Sequence, residues 1–543
     1  MTPRATGLTR RELLLSFLGP VVAAACRGGK PPELTFDGAV AGADDRLGHR
    51  LREGFRPAPQ RSSRAAVVVV GAGLAGLSAA WRLSLAGLED YRVLELGAEP
   101  GGTAVGGANA VTPFPWGAHY LPCPMPHARA VALLAEEMGA AVRAPDGRLV
   151  FDEAQLCRAP QERIFVADRW YEGLYPRAGA TREDLDELER FQAEVRRLSG
   201  LRDGRGRRAF AVPMAHGSDD AELVALDRLS MAEWLSSRGL RGERIRWYVE
   251  YGCRDDYGLS LADTSAWAAL HYHASRTEHG GPDDLLTWPE GNARIAAHLA
   301  RRAGRRLTTG ALVTEVKALP RGAEVITSPV AGGPCERIVA DHVILAVPRL
   351  AAARLFPHPR LAAEARAFES GAWLVANLTL RRRPRSRGFP EAWDNVLYGS
   401  RSLGYVVATH QSDRHGGPPG ATVWTWYLSL VQRDAAEAHR WLLGLTWREA
   451  AELVVADLRR AHPDVEQCIE RLDVWRWGHA MIRPRPGFVF GAERRRAHVP
   501  LGDVHFAHTD LSGLPLAEEA QYHGIRAAEE ILARRRIRFE SLL

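Results

Sequence analysis

The sequence predicts an α/β fold of two lobes, and three observations predict it. The chain has 543 residues, whereas a single hydrophobic core stops growing near about 250–300. A short β-branched run, Ala65-Ala66-Val67-Val68-Val69-Val70, leads straight into a glycine-rich turn and a helical pattern. That is how a parallel strand buried on both faces enters its crossover helix. Further along, helix-periodic stretches and alternating strands occupy separate regions, with no internal repeat. They describe a second, α+β lobe.

The opening strand and turn are the most informative stretch. Gly71-Ala72-Gly73-Leu74-Ala75-Gly76 follows Val70, the pattern from Leu77 to Leu85 is helical, and Tyr91–Leu96 is a second strand. Gly71 permits the tight turn, Gly73 lets a pyrophosphate approach the backbone, and Gly76 lets helix and strand pack closely. The helix amino terminus offers free N–H groups and the positive end of its dipole to phosphates. Glu95 lies 19 residues beyond Gly76, near the roughly 20 expected for an acid on a ribose hydroxyl. Together these residues predict a dinucleotide-binding, Rossmann-like lobe.

The amino terminus reads as an address. Arg10-Arg11 precede an apolar stretch, Leu13 to Ala25, that ends Ala23-Ala24-Ala25-Cys26. It falls short of the roughly 20 residues needed to span a bilayer, and its basic start and small-residue end fit a signal peptide. The paired arginines resemble a twin-arginine export signal, and the residues before Cys26 resemble a bacterial lipobox. Residues 1–26 are thus expected to be an export signal, with a possible lipid anchor at Cys26. Residues 27–64, rich in Gly, Pro and Arg, are expected to be a linker. The implied location is the periplasm or the outer face of the cytoplasmic membrane, with the cytoplasm as the alternative.

Composition narrows the function. A hydrophobic share of 46% and a charged share of 25% are ordinary for a globular protein and exclude a disordered or fibrous chain. Net charge is +6 with no basic run interleaved with aromatics, so no nucleic-acid partner is expected. The six cysteines are scattered, without C-x-x-C or metal spacing, and no metal site is expected. His271 and His273 lie in a His-Tyr-His run lacking carboxylate partners. Of 71 basic residues only Lys30 and Lys317 are lysine.

Beyond the first turn, Glu95-Leu96-Gly97-Ala98-Glu99-Pro100-Gly101-Gly102-Thr103 resembles the second flavin motif of the FAD-dependent amine oxidase and phytoene desaturase superfamily. Glu99-Pro100 stands where that family usually carries an arginine. Phe114-Pro115-Trp116-Gly117-Ala118-His119-Tyr120 resembles its segment beside the isoalloxazine ring. Trp288–Asn292 resembles its turn before a helix, and Asp341–Pro348 its strand ending in Ala-x-Pro. Val504–Asp510, followed by Gly513-Leu514-Pro515 and a helix to Leu532, resembles its carboxy-terminal signature. The resemblance implies FAD, with adenine held at the Val313 backbone and Asp510 at the ribityl-phosphate region. It also implies an FAD-binding domain in three pieces, 65–125, 285–350 and 484–535. Residues 126–284 and 351–483 then form the interleaved substrate domain.

The active site is expected where the lobes meet over the flavin. His119 and Tyr120 follow the glycine turn closely enough to reach the ring, and Trp477, in Trp475-Arg476-Trp477-Gly478-His479, is a candidate wall. In the family's amine oxidases a lysine on a substrate-lobe strand stands near the flavin. Here the matching position is Asn377, and neither lysine of this chain falls there, which weighs against oxidation of amines by oxygen. Trp424 and Trp426 share one strand face and are assigned to the core. Asp255 and Asp256, in Arg254-Asp255-Asp256-Tyr257-Gly258, are read as helix caps, with substrate contact as the alternative. The expected function is that of an FAD-dependent oxidoreductase. It would remove hydride from a C–N or C–C bond of a small or medium organic substrate and pass electrons to an unidentified acceptor. The alternative is a flavin-dependent isomerase or desaturase of a lipid-like or polyene substrate.

Overall fold

A computed structural model describes residues 34–276, 284–412, 420–431 and 433–543. Arg10-Arg11, the apolar stretch to Ala25, Cys26 and Lys30 lie outside the described residues. Among the described residues, no helix is long and apolar enough to cross a membrane.

Two sheets organise the chain. In the first, of seven strands, Arg61–Val70 lies between Tyr91–Leu94 and Glu336–Leu345, all three parallel. Leu307–Thr308 extends one edge and Val504–Phe506 pairs with Glu336–Leu345, also parallel, while Ala311–Ala318 and Ala323–Pro329 close the other side antiparallel. Val67, Val68 and Val69 have no solvent exposure, because helices cover both faces of a parallel sheet. Helix Ala517–Arg534 lies against helix Leu74–Leu85, and Gly524 makes the approach possible: a Cβ there would stand 2.1 Å from the Ala75 carbonyl oxygen.

The second sheet has eight strands, with Ser370–Leu380 antiparallel between Ile469–Ile482 and Thr422–Ser429. Strand alternation divides its residues. Leu374, Ala376 and Leu378, with Trp424 and Trp426, join the core beneath helices Ala435–Gly444 and Trp447–Leu458. Trp424 stacks on Tyr405 at 4.0 Å. Trp373, Val375 and Tyr427 point the other way, into an aromatic cluster facing the first lobe. A helical subdomain of Arg182–Gly200, Met231–Ser237, Glu243–Tyr257 and Ala266–Ala274 stands beside this sheet. Capping boxes at Thr181/Asp184 and Ser230/Glu233 start two of those helices.

The linker expected over residues 27–64 is corrected from residue 34 onward. Val40–Gly42 runs parallel to Ile469–Ile482 as an extra edge strand. Phe36 is buried and meets Trp447 edge-on at 6.3 Å. Asp44 caps a short helix, Asp45–His49. Arg61 to Arg64 also already pair with the strand Glu336–Leu345. Three-residue strands and one-turn helices leave no periodicity in a sequence, which is why the segment read as irregular.

Candidate active site

The glycine turns build a cradle. Gly71 has φ of 98°, and a Cβ on it would stand 2.5 Å from the Ala346 carbonyl oxygen. A Cβ on Gly76 would stand 1.9 Å from the Gly71 oxygen. At Gly73, by contrast, the only neighbour such a Cβ would meet is the Gly102 Cα at 3.9 Å, so the backbone is open there. Gly101 and Gly102 have φ of 133° and 59°. The Gly101 N–H donates to the Ala72 carbonyl at 2.8 Å, which brings the second glycine turn against the first. Glu95 accepts from the N–H groups of Ala72 at 2.7 Å and Gly97 at 2.8 Å. Burial raises its pKa despite those bonds.

Two helices aim uncapped amino termini at this region. Leu74–Leu85 starts at Gly73, and Ala517–Arg534 starts at Leu516, neither with a side-chain cap. Their free N–H groups suit a phosphate and an electron-rich ring. Asp510 accepts from the Arg349 N–H at 2.7 Å. Burial opposes its charge, but His508 beside it and that N–H hold its pKa below the usual range. With Val313, Leu94 and Pro348, Asp510 lines a cavity of about 580 Å³. Glycine cradle, buried acid and uncapped helix ends together fit the three parts of FAD: pyrophosphate, ribose and ring.

Trp477 lines that cavity and also a second one, of about 130 Å³, at the start of Ala517–Arg534. Thr103, His119, Tyr120, Trp373, Val375 and Tyr427 help to line the second. Trp477 is fixed by its indole N–H, which donates to the Trp116 carbonyl at 2.7 Å. Its ring is 5.2 Å from that of Trp475, which is in turn 5.2 Å from Trp116. His119 lies 5.0 Å from Tyr427, ring to ring. Burial lowers the His119 pKa to about 4, so its imidazole is neutral at physiological pH.

A third cavity, of about 470 Å³, shares His119, Tyr120, Asp255, Arg276 and Tyr427 with the second, and its walls mix polar and apolar groups. Glu162, Asp255 and Asp394 line it together with Tyr251 and Tyr272. Asp394 accepts from the Tyr251 hydroxyl at 3.1 Å. Burial, then the charges of Glu162 and Asp255, hold its pKa well above the usual carboxylate range. Arg276 donates to Asp256 at 2.6 Å and to the Tyr120 hydroxyl at 3.0 Å.

The structure thus gathers His119, Tyr120, Trp477 and Thr103 at one cavity, and Glu95 with the glycines of both turns in the cradle that leads to Thr103. Asn377 is placed elsewhere. Its amide donates to the Pro115 carbonyl at 2.9 Å and its oxygen accepts from Thr425 at 2.7 Å. It is buried and lines none of the three cavities. Val375 and Trp373, two and four residues earlier on the same face, line the cavity instead. The capping role assigned to Asp255 and Asp256 is likewise corrected: they occupy the last turn of Glu243–Tyr257, which Gly258 ends at φ of 60°. Lys317 is exposed on a strand of the first sheet. Among the described residues the only group with metal-like spacing is Asp203, Asp219 and Asp220, away from these cavities.

Sequence reasoning missed Arg276, Glu162, Asp394, Trp373, Val375 and Tyr427 as cavity residues. They come from separate elements, and only Tyr427 lay in a stretch whose alternation put it opposite the core tryptophans.

This fold and cradle define a flavoprotein of the dinucleotide-binding class. Residues 74–532 match the family described as flavin containing amine oxidoreductase, and the chain belongs to that family. FAD is the cofactor that this membership implies, and the cradle fits it. The chain is 30% identical over 300 residues to AofH of Mycobacterium tuberculosis, whose name assigns it as a flavin-containing monoamine oxidase. That match covers 52% of this chain and 56% of the relative, little more than half of each. Similar solved structures include putrescine oxidase bound to putrescine, with TM-score 0.61 and 18% identity over 87% of this chain and 100% of that one. Cyclohexylamine oxidase from Brevibacterium oxydans follows with TM-score 0.60 and 17% identity, at the same coverage. A CLA-producing fatty acid isomerase from P. acnes has TM-score 0.59 and 14% identity, covering 87% and 98%.

Proposed function

We propose that the protein is an FAD-dependent oxidoreductase that oxidises the C–N bond of a small or medium amine. The observation that carries this reading is the meeting of two chambers: an aromatic chamber at the flavin end shares five residues with a chamber whose lining includes Glu162, Asp255 and Asp394. When bound, FAD supplies the two-electron acceptor for hydride. The protein's own residues hold and shield. Trp373, Val375, Tyr427 and Trp477 keep water from the reacting carbon, and the carboxylates beyond them attract a cation. A neutral His119 places no positive charge beside the cationic product that C–N oxidation forms. Three acids in its lining, Glu162, Asp255 and Asp394, also set this chamber apart from one built for an acyl chain, which disfavours the isomerase alternative.

The test is a product assay on FAD-loaded protein given primary amines, diamines and a polyunsaturated fatty acid. Formation of an aldehyde with release of ammonia supports the amine reading. A double-bond isomer of the fatty acid, with amines untouched, overturns it.

The address carried by the first residues belongs to the same proposal. Arg10-Arg11, the apolar stretch and Cys26 support export by the twin-arginine route, which carries proteins already folded around a cofactor, and lipid attachment at Cys26. Fractionation and the intact mass of the mature protein test it. A cytoplasmic protein with an unprocessed amino terminus would contradict it.

A further inference from the structure

We propose that Asp255 holds the substrate's ammonium at the neck between the two chambers and accepts its proton, delivering a neutral amine to the flavin end. The proposal rests on the amine reading above and names a base for it.

Five residues line both chambers: His119, Tyr120, Asp255, Arg276 and Tyr427. Four of them already have partners. Tyr427 donates its hydroxyl proton to the Gly117 carbonyl at 3.0 Å. Tyr120 accepts from Arg276, and the charge of Arg276 is matched by Asp256. His119 is neutral and shares the Gly117 carbonyl at 3.4 Å. Among the described residues, the Asp255 carboxylate takes part in no hydrogen bond and no ion pair.

Its placement is unfavourable for the fold itself. It sits in the last turn of Glu243–Tyr257, at the negative end of the helix dipole, where an acid is destabilising. The cation next to it in sequence is turned away: Arg254 donates to the carbonyls of Ser400 and Ser402. Glu162 adds negative charge from a strand across the chamber, and Asp394 faces the same chamber with its carboxyl pushed well above the usual range. Tyr251, Tyr272 and His273 face the chamber from the helix of Asp255 and the next, and add no positive charge, since burial lowers the His273 pKa to about 3. Arg196 reaches the chamber from the exposed side of Arg182–Gly200. Burial, then the charge of Asp256, pushes the Asp255 pKa up to about 7, with Arg276 pulling the other way. An unpaired, half-buried carboxylate wants a cation, and a group poised near neutrality suits proton transfer.

Alkylamines arrive protonated, with pKa near about 10 as for lysine. Burial in the neck favours their neutral form. In the step, one N–H bond breaks, its electron pair stays on nitrogen, and the proton forms an O–H bond on Asp255. Carboxylate and ammonium become carboxylic acid and amine, with no net change of charge. The proton leaves to water through the larger chamber after the product has gone.

The experiment uses FAD-loaded wild type, Asp255→Asn and Asp255→Glu. Anaerobic flavin reduction at limiting primary amine is followed from pH 5.5 to 9, with the dissociation constant of a tert-alkylamine, which carries no α-hydrogen, measured alongside. In wild type both the rate constant and the affinity should fall by about tenfold per pH unit below a break near pH 7. Asp255→Asn should reduce flavin about 100-fold more slowly at neutral pH and lose the break, while Asp255→Glu restores it. A wild-type profile flat through pH 7, or an Asn variant that keeps rate and break, overturns the role of Asp255 alone. The wild-type profile decides the matter even where the Asn variant fails to retain FAD. Flavin that no amine bleaches overturns the amine reading, and Asp255 with it.

Discussion

The Asp256 carboxylate and the Arg276 guanidinium meet at 2.6 Å, each about 6% exposed, in the lining of the flavin-end chamber, where Arg276 also reaches the larger one. A buried pair of this kind contributes little net stability while intact, but removing one partner strands a charge. Arg276→Met should therefore destabilise the protein by about 3–5 kcal/mol. Arg276→Met combined with Asp256→Asn should recover most of that loss. Denaturant unfolding of both variants provides the check.

Gly76→Ala should abolish FAD retention. The added methyl has no space beside the Gly71 carbonyl oxygen, 1.9 Å away, so the phosphate turn itself must move. The ratio of visible flavin absorbance to protein absorbance reads this directly, without any substrate.

Asn377→Ala should cost stability rather than change chemistry. It removes the bonds that tie Pro115 and Thr425 to the central strand, and each buried group left unsatisfied costs about 1–3 kcal/mol. The melting temperature should drop while the pH profile of flavin reduction keeps its shape. A displaced profile would return Asn377 to the mechanism.

His462 should make the fold acid-sensitive. Its ring bonds the Tyr405 hydroxyl at 2.8 Å and the Arg385 carbonyl at 3.0 Å, and burial lowers its pKa to about 4. Between the unfolded value near about 6.5 and that folded value, the unfolded chain binds a proton that the folded chain does not. Stability therefore falls as pH drops through this window. Glu519, raised by burial to about 7, acts in the opposite sense, so the wild type must be compared with His462→Gln. The variant, less stable at pH 7, should lose less on acidification.

Much of the dinucleotide lobe was legible because its signals are local. A β-branched run, three glycines at fixed spacing and an acid at the end of the next strand each follow from backbone geometry within about 25 residues. The catalytic face was less legible, for reasons of distance and register. Asp256 and Arg276 come together from a helix end and the turn after the next helix, and nothing in either stretch names the other. On the strand Ser370–Leu380 the alternating faces were clear, but the residue at the flavin end was not. Trp373 and Val375 line the chamber, and Asn377, on the same face, is already under Pro115. The acids at 255 and 256 were visible as a polar cluster, yet a cluster at a helix end reads equally as a cap. Only the placement of Gly258 showed which end it was.

The central claim is that this flavoprotein takes electrons from amines, and the anaerobic titration of its flavin absorbance tests it most directly. A primary amine or diamine, added to the FAD-loaded protein without oxygen, should bleach the flavin to completion at about one equivalent per bound FAD, as a two-electron transfer requires. A flavin that stays oxidised through the whole amine series, in protein whose FAD content is full, would contradict the account.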